Sequence, residues 1–499
     1  MRQILTYLLA FCLVTLAGCG EKIPSQVIRF GLQSAPISLD PRMATDATSE
    51  RINRLVYRAL VTFDTQFRPV PELADWQQLS PLHYRFTLKR NERTFHTGSR
   101  LTAEDVAMCY RFILDASNAS PHRGNLAHIK NIKIIDDDTI DFELKRPDIL
   151  FPGRMTIGIP SSEYTKTGFQ PVGTGAFKVT NANEMHTLSL TRVSDSQLFS
   201  FIHVPDATVR VLKLLRGEID LLQNDISGLI EYLSNQEAVN VVSHPGTTFS
   251  YLGFNMEDPV VGQLELRKAI AHAIDRQALI EHLLGRGAEL SHSLLPPQHW
   301  ASQAALKGFS YQPDKARALL SELGYDKQNR PQITYKTTTD SLRLRIAAVI
   351  QQQLADVGID MEIRSYDWGT FYADIKAGNF QLYGLSWVGI RSPDIYQYVF
   401  HSQSLPPSGA NRGRYRNKQV DEWIDDMLAA QSLGEIPASL DKVRHTLLDE
   451  LPYIPMWFEN HVYAASLSIK NYRLSQDGNY DALADVQKQL TPPSRVSGL

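Results

Sequence analysis

The chain has 499 residues, 43% of them apolar and 21% charged, with a formal net charge of −3 at pH 7. That length exceeds what one hydrophobic core holds, so two or three domains of ordinary globular composition are expected. The near-neutral charge removes any electrostatic case for nucleic acid, and no stretch beyond the N-terminus is apolar for long enough to span a bilayer.

Arg2 gives a positive start, Ile4 to Leu16 is an apolar run, and Leu16-Ala17-Gly18-Cys19 ends it. Such a charged, then apolar, then small-residue order marks a secretory signal peptide, expected over 1–18. A cysteine directly after Leu-Ala-Gly resembles the bacterial lipobox. That resemblance implies a lipid on Cys19 and a short tether over 19–26. Of the three cysteines, Cys12 leaves with the signal and Cys19 is lipidated, so Cys109 is left with no disulfide partner.

Val27 to Leu32 reads as a strand, and Tyr84 to Lys89 alternates as a half-buried one. Thr102-Ala103-Glu104-Asp105 opens a helix with a capping-box pattern, followed by Val106, Cys109, Tyr110, Ile113 and Leu114 at helical spacing. Asp136-Asp137-Asp138 reads as a hairpin turn and not a metal site. Asp206 caps a helix carrying Val209, Leu212 and Leu215, Gly217 ends it, and Ile219 to Leu222 follows as a strand. Farther on, Ile333 to Lys336 is a strand. The next helix has Leu342, Ile346, Val349, Ile350, Leu354 and Val357 on one face, with Gly358 at its end, and Ile359, Met361 and Ile363 alternate after it. This is a crossover unit of a parallel sheet. A helix over 368–377 leads into a strand over 380–385. Two such units far apart predict two α/β lobes, with a boundary near residue 249.

Motifs that carry chemistry are missing. There is no P-loop and no His-Glu-x-x-His. Gly384-Leu385-Ser386-Trp387-Val388 lacks the last glycine of a nucleophile elbow. Gly173-Thr174-Gly175 is too short for a nucleotide cradle. His122 and His128 read as surface residues, and His401 alone does not make a metal site. Neither catalysis nor a cofactor nor a metal is expected.

The residues resemble those of the bacterial extracellular solute-binding proteins of family 5, the peptide and nickel class. The resemblance runs through Ser38-Leu39-Asp40-Pro41, Val56 to Val61, Pro71-Glu72-Leu73-Ala74, Phe86 to Lys89, Phe95-His96-Thr97-Gly98 and Leu101 to Val106. It continues through Gly173 to Lys178, Gly217-Glu218-Ile219-Asp220, Tyr251 to Asn255, Leu266 to Arg276 and Pro452-Tyr453-Ile454-Pro455. It implies a two-lobed α/β periplasmic-binding-protein fold, class II type, with an extra subdomain in the first lobe. The first-lobe core is then expected over 27–45, 172–249 and 462–493, the inserted subdomain over 46–171 and the second lobe over 250–461. It also implies a monomer that captures a small ligand, expected to be a peptide, and hands it to an ABC importer permease with its ATPase. The chain would work in the periplasm or cell envelope, held to the membrane by the lipid on Cys19.

Ligands of open α/β sheets bind beyond the carboxyl ends of the strands. That rule points to the loop Trp387-Val388-Gly389-Ile390-Arg391-Ser392-Pro393-Asp394. Peptide-binding members of the family often carry an aspartate where Ile390 stands here. Trp387, Gly389, Ile390, Arg391 and Asp394 are expected ligand neighbours, with Arg391 suited to a ligand carboxylate. Tyr251 and Asn255, near the hinge, and Gly173, Thr174 and Gly175 complete the expected set. Asn411 to Arg416 reads as a solvated basic loop. Three rivals stand beside this reading. One keeps the fold with a glutathione-like compound, opine, sugar or chelated metal as cargo, another is a secreted envelope hydrolase, and the third is an envelope receptor or chaperone lacking an importer.

Overall fold

The computed structural model describes residues 27–489, apart from 166, 167, 185, 186, 286, 303–305 and 408. The expected signal peptide over 1–18 and the expected lipid site at Cys19 lie outside the described residues. The spine of the molecule is a pair of long antiparallel strands, Val239–Phe254 and Tyr453–Ser466. Val239–His244 pairs with His461–Ser466, and Thr248–Gly253 pairs with Tyr453–Glu459. Pro245, Gly246 and Thr247 fall in the register shift between the two ladders. Proline supplies no ladder donor there, so pairing breaks where the chain passes from one lobe to the other.

Each half of the spine extends into a parallel set. In the first lobe Ile28–Leu32 lies between Leu198–His203 and Leu221–Gln223, parallel to both. In the second, Gln332–Thr338 lies between Asp360–Tyr366 and Leu382–Trp387, again parallel to both. The crossover helices form where expected. Asp206 accepts from the Val209 amide and caps Ala207–Leu215, and Asp340 does the same for Ser341–Val357 through Arg343. Each cap contributes about 1 kcal/mol. Gly358 ends the second helix at φ 102°, a left-handed conformation that favours glycine.

The buried face of Ala207–Leu215 differs from the expected one. Val209 and Leu212 are 43% and 40% exposed, while Arg210, Val211 and Leu214 are buried. The reason is tertiary. The Arg210 guanidinium donates to the carbonyls of Val204, Pro205 and Asp225, and this turns the helix toward the loop after Gln223.

A four-stranded antiparallel sheet forms a separate body in the order Ala74–Ser80, His83–Leu88, Thr139–Leu144, Ile129–Ile134. Helix Ala103–Leu114 packs on it, with the Thr102–Asp105 capping box in place. Phe86, Tyr110, Phe142 and Phe151 fill its core. Each such ring contributes roughly 1.5–3 kcal/mol of burial. The Asp136–Asp138 turn joins two of its strands, and Asp138 also pairs with buried Arg93. Helix Ala47–Val56 packs elsewhere: Ile52, Leu55 and Val56 join Ile28, Phe30 and Phe199 in the first-lobe core. His128 is buried against Asp148 at 3.0 Å and is not the surface residue its spacing suggested. Among the described residues no helix is long and apolar enough to cross a membrane.

Candidate functional site

The antiparallel run of Tyr453–Ser466 past Leu221–Gln223 and past Val239–Phe254 turns the carboxyl ends of both parallel sets toward each other. Gln33 and Asp225 follow the first-lobe strands, and Thr339 and Val388 follow those of the second. Asn224 and Asp225 both hold positive φ, and Asn224 is bonded on both sides to the Val462 backbone, which fixes Asp225 beside the hinge.

Trp457, Glu459 and His461 alternate along the hinge strand, so they share one face of it. Ser386 and Ser250 stand 2.7 Å apart, and the Ser250 hydroxyl donates to Glu459 Oε1 at 2.9 Å. With its amide oriented to donate, the Gln33 nitrogen lies 2.8 and 3.1 Å from the Asp225 carboxylate oxygens. Burial raises the Glu459 carboxyl above its ordinary range, the Ser250 bond and Arg343 offset this in part, and the Asp225 charge adds to it. Burial likewise raises Asp225, against the pull of Arg51 and Arg210. Burial, helped by the Arg51 charge, lowers His461 to about 4. The floor between the lobes thus carries two carboxylates that burial makes harder to ionise, with three guanidiniums acting on this cluster and a neutral imidazole beside them.

The loop after Trp387 reaches the opposite lobe. Arg391 lies 2.9 Å from Glu50 on the first-lobe helix and 3.2 Å from Asp477. The Arg391 charge lowers Glu50. Burial works against ionised Asp477, yet Arg391 and Arg54 hold it well below the ordinary carboxylate range. Arg391, expected to meet a ligand carboxylate, is therefore occupied within the protein. Asp394 is likewise occupied, by Arg154 of the other body at 2.6 Å. Ile390 is buried in the second-lobe core, and Gly389 makes its turn at φ 68°. The Ile390 side chain is thus not a cleft neighbour, and the Arg391 carbonyl is bonded to His299 Nε2 at 3.1 Å.

Trp387 and Tyr251 are brought together by a residue outside the expected set. Arg412 stacks 4.5 Å over the Trp387 ring and donates to the Tyr251 and Tyr372 hydroxyls at 3.1 and 3.2 Å. It is 9% exposed and Asn411 is 1% exposed, so this segment is not the solvated loop its composition suggested. Asn255 is structural: its amide donates to the carbonyls of Gly378 and Phe380. Gly173 and Gly175 are close-approach glycines, since a Cβ would meet the Val56 carbonyl at 2.1 Å or that of Leu55 at 2.3 Å. Thr174 and Gly175 line a hollow of about 1320 Å³ beside helix Ala47–Val56, closed on one side by Arg391. His401 lies 3.5 Å from Asp425, and among the described residues no three metal-ligating side chains cluster.

Asp225, Glu459, His461, Glu50 and Asp477 were all missed. The signal was present for two: Glu459 and His461 belong to a run of three polar residues, Glu459-Asn460-His461, inside a largely apolar strand.

Residues 68–406 match the family described as bacterial extracellular solute-binding proteins, family 5 middle. The dipeptide-binding protein of Escherichia coli is 24% identical, with 86% of this chain and 89% of that one covered. Heme-binding protein A of Haemophilus influenzae is 25% identical, with 91% and 90% covered. Among solved structures, the ABC transporter substrate-binding protein CtaP of Listeria monocytogenes superposes with a TM-score of 0.83 at 22% identity, over 93% of this chain and 99% of that one. The periplasmic binding protein DppA of Helicobacter pylori, in complex with the peptide STSA, gives 0.78 at 24% identity, over 93% and 98%. The chain belongs to the bacterial extracellular solute-binding proteins of family 5, and it is a substrate-binding protein of ABC transport, not an enzyme.

Proposed function

We propose that the chain captures a peptide between its two lobes by hinge closure and delivers it to an ABC importer, working as a monomer tethered to the membrane through lipid on Cys19. The observation that carries this reading is the facing of the two sets of strand ends across a hinge floor that bears carboxylates and guanidiniums together. Such a floor suits a zwitterion. The Escherichia coli relative is named for dipeptides and the Helicobacter pylori neighbour holds the peptide STSA, which supports the same cargo. The protein supplies affinity and closure, and the importer's ATPase supplies the work.

The test is thermal stability of residues 20–499 against di- to pentapeptides, amidated and acetylated peptides, glutathione, sugars and chelated nickel. A true ligand at a hundred times its Kd stabilises by about 2.7 kcal/mol. Stabilisation by peptides, with ligand mass unchanged after incubation, is the expected result. Stabilisation by another class alone overturns the peptide cargo, and loss of ligand mass would bring back the hydrolase. The observation favouring non-peptide cargo is the buried Ile390, which leaves the Trp387 loop without a carboxylate for the cleft.

A further inference from the structure

We propose that Asp225, Glu459 and His461 form a subsite for a cationic nitrogen of the ligand, a primary ammonium, at the floor of the cleft. The inference rests on the cleft between the lobes being the ligand site, but not on the ligand being a peptide.

An ammonium group has three N–H donors and no acceptor, so a site that holds it must offer it acceptors. Glu459 and His461 lie two residues apart on one strand face, about 6.6 Å at the usual rise, close to the span over which a nitrogen can reach both. One Glu459 oxygen accepts from Ser250, and the structure gives the other no bonded partner. Asp225 joins them because Asn224 bonds the Val462 backbone, and its carboxylate is near enough to repel that of Glu459.

His461 is the independent sign. It is 3% exposed, and its Nε2 finds no hydrogen-bond partner in the protein. Its ring is engaged with the Gln476 carbonyl, and with Nε2 unpartnered that bond belongs to Nδ1 as donor. Nε2 is then a buried acceptor without a partner, on a ring packed against Gly478. A buried acceptor left unmet costs about 1–3 kcal/mol, which a ligand donor would recover. Asp225 is exposed, with the Gln33 amide beside both its oxygens, and Glu459 is half-buried, although both lie deep among protein atoms. Arg51 and Arg210 offset Asp225, and Arg343 offsets Glu459, only in part, since both carboxyls remain harder to ionise than usual. A cation seated between them would complete the balance.

The experiment is calorimetric titration of residues 20–499 with matched pairs: tripeptides and their N-acetyl forms, glucosamine and glucose, putrescine and 1,4-butanediol. The expected result is that at least one amine binds and its neutral partner binds roughly tenfold or more weakly, as loss of a charged hydrogen bond predicts. Asp225→Asn and Glu459→Gln should each weaken the amine by a similar factor and its neutral partner by clearly less, with melting temperature checking the fold. Equal affinity for both members of every binding pair overturns the subsite, even if peptides bind. Variants that weaken both members alike overturn it too, as does failure of every amine in the panel. Binding of a non-peptide amine with no peptide binding sustains the subsite and overturns the peptide cargo. The amine-to-neutral comparison needs no variant, so a variant that fails to fold leaves the test intact.

Discussion

Arg391 and Glu50 meet at 2.9 Å across the two lobes, one from the loop after Trp387 and the other from helix Ala47–Val56. With Asp477 at 3.2 Å on the same guanidinium, the contact joins second lobe to first without any ligand. Arg391→Gln should loosen the closed form. Because Glu50 is half-exposed, the loss is set at roughly 1–3 kcal/mol, below that of a fully buried pair. Small-angle scattering should show a larger radius of gyration, and affinity should fall equally for free-carboxylate and amidated ligands. A loss confined to free carboxylates would return Arg391 to the ligand.

Glu50 and Asp477 are both held below the ordinary carboxylate range, so their contribution is present at neutral pH. It should persist down to about pH 4 and disappear as pH falls through the depressed folded values. Scattering across a pH series should show opening only in that acidic window, and Arg391→Gln should abolish the transition.

The histidines titrate in a different window. Burial lowers both His461 and His299 to about 4. The unfolded chain binds these protons near pH 6.5 and the folded chain does not, so stability is full above that value and falls as pH drops toward 4. Each histidine should cost up to about 1.4 kcal/mol per pH unit in between. Urea unfolding from pH 7.5 to 5 should reveal the slope, and His299→Phe should reduce it.

Cys109 is buried, and burial pushes its thiol up to about 12. In residues 20–499 it is the sole thiol. It should resist an aromatic disulfide reagent in the native state and react at once in urea. Prompt native reaction would mean that the Ala103–Leu114 helix opens readily.

Arg412 carries its charge against Trp387, Tyr251 and Tyr372. Arg412→Lys keeps the charge but loses the planar stack and one of the two tyrosine bonds, at a cost of about 1–2 kcal/mol. Trp387 emission should shift with it. An unchanged spectrum and melting point would show that the stack contributes nothing.

Much of the architecture was legible because it is local. The capping signals at Thr102 and Asp206, the helix-ending Gly358 and the alternation after it rest on neighbours within a turn or two, and each helix or strand formed there. Helix Ala207–Leu215 formed as well, but its inward face did not follow from its apolar spacing. The carbonyls of Val204 and Pro205, before the helix, and of Asp225, in the loop beyond Gln223, chose Arg210 instead.

By itself the sequence determined the two α/β units, the parallel crossovers and, through its ordered motifs, the family. Tertiary structure alone decided which charges meet. Arg391 reaches Glu50 across 341 positions of chain, Asp225 reaches the hinge through Val462, and Glu459 and His461 become a floor only when Val239–Phe254 aligns beside their strand. Electrostatic partners are set by distance in space. A chain that runs twice through its hinge brings together residues whose spacing along the sequence carries no trace of the meeting.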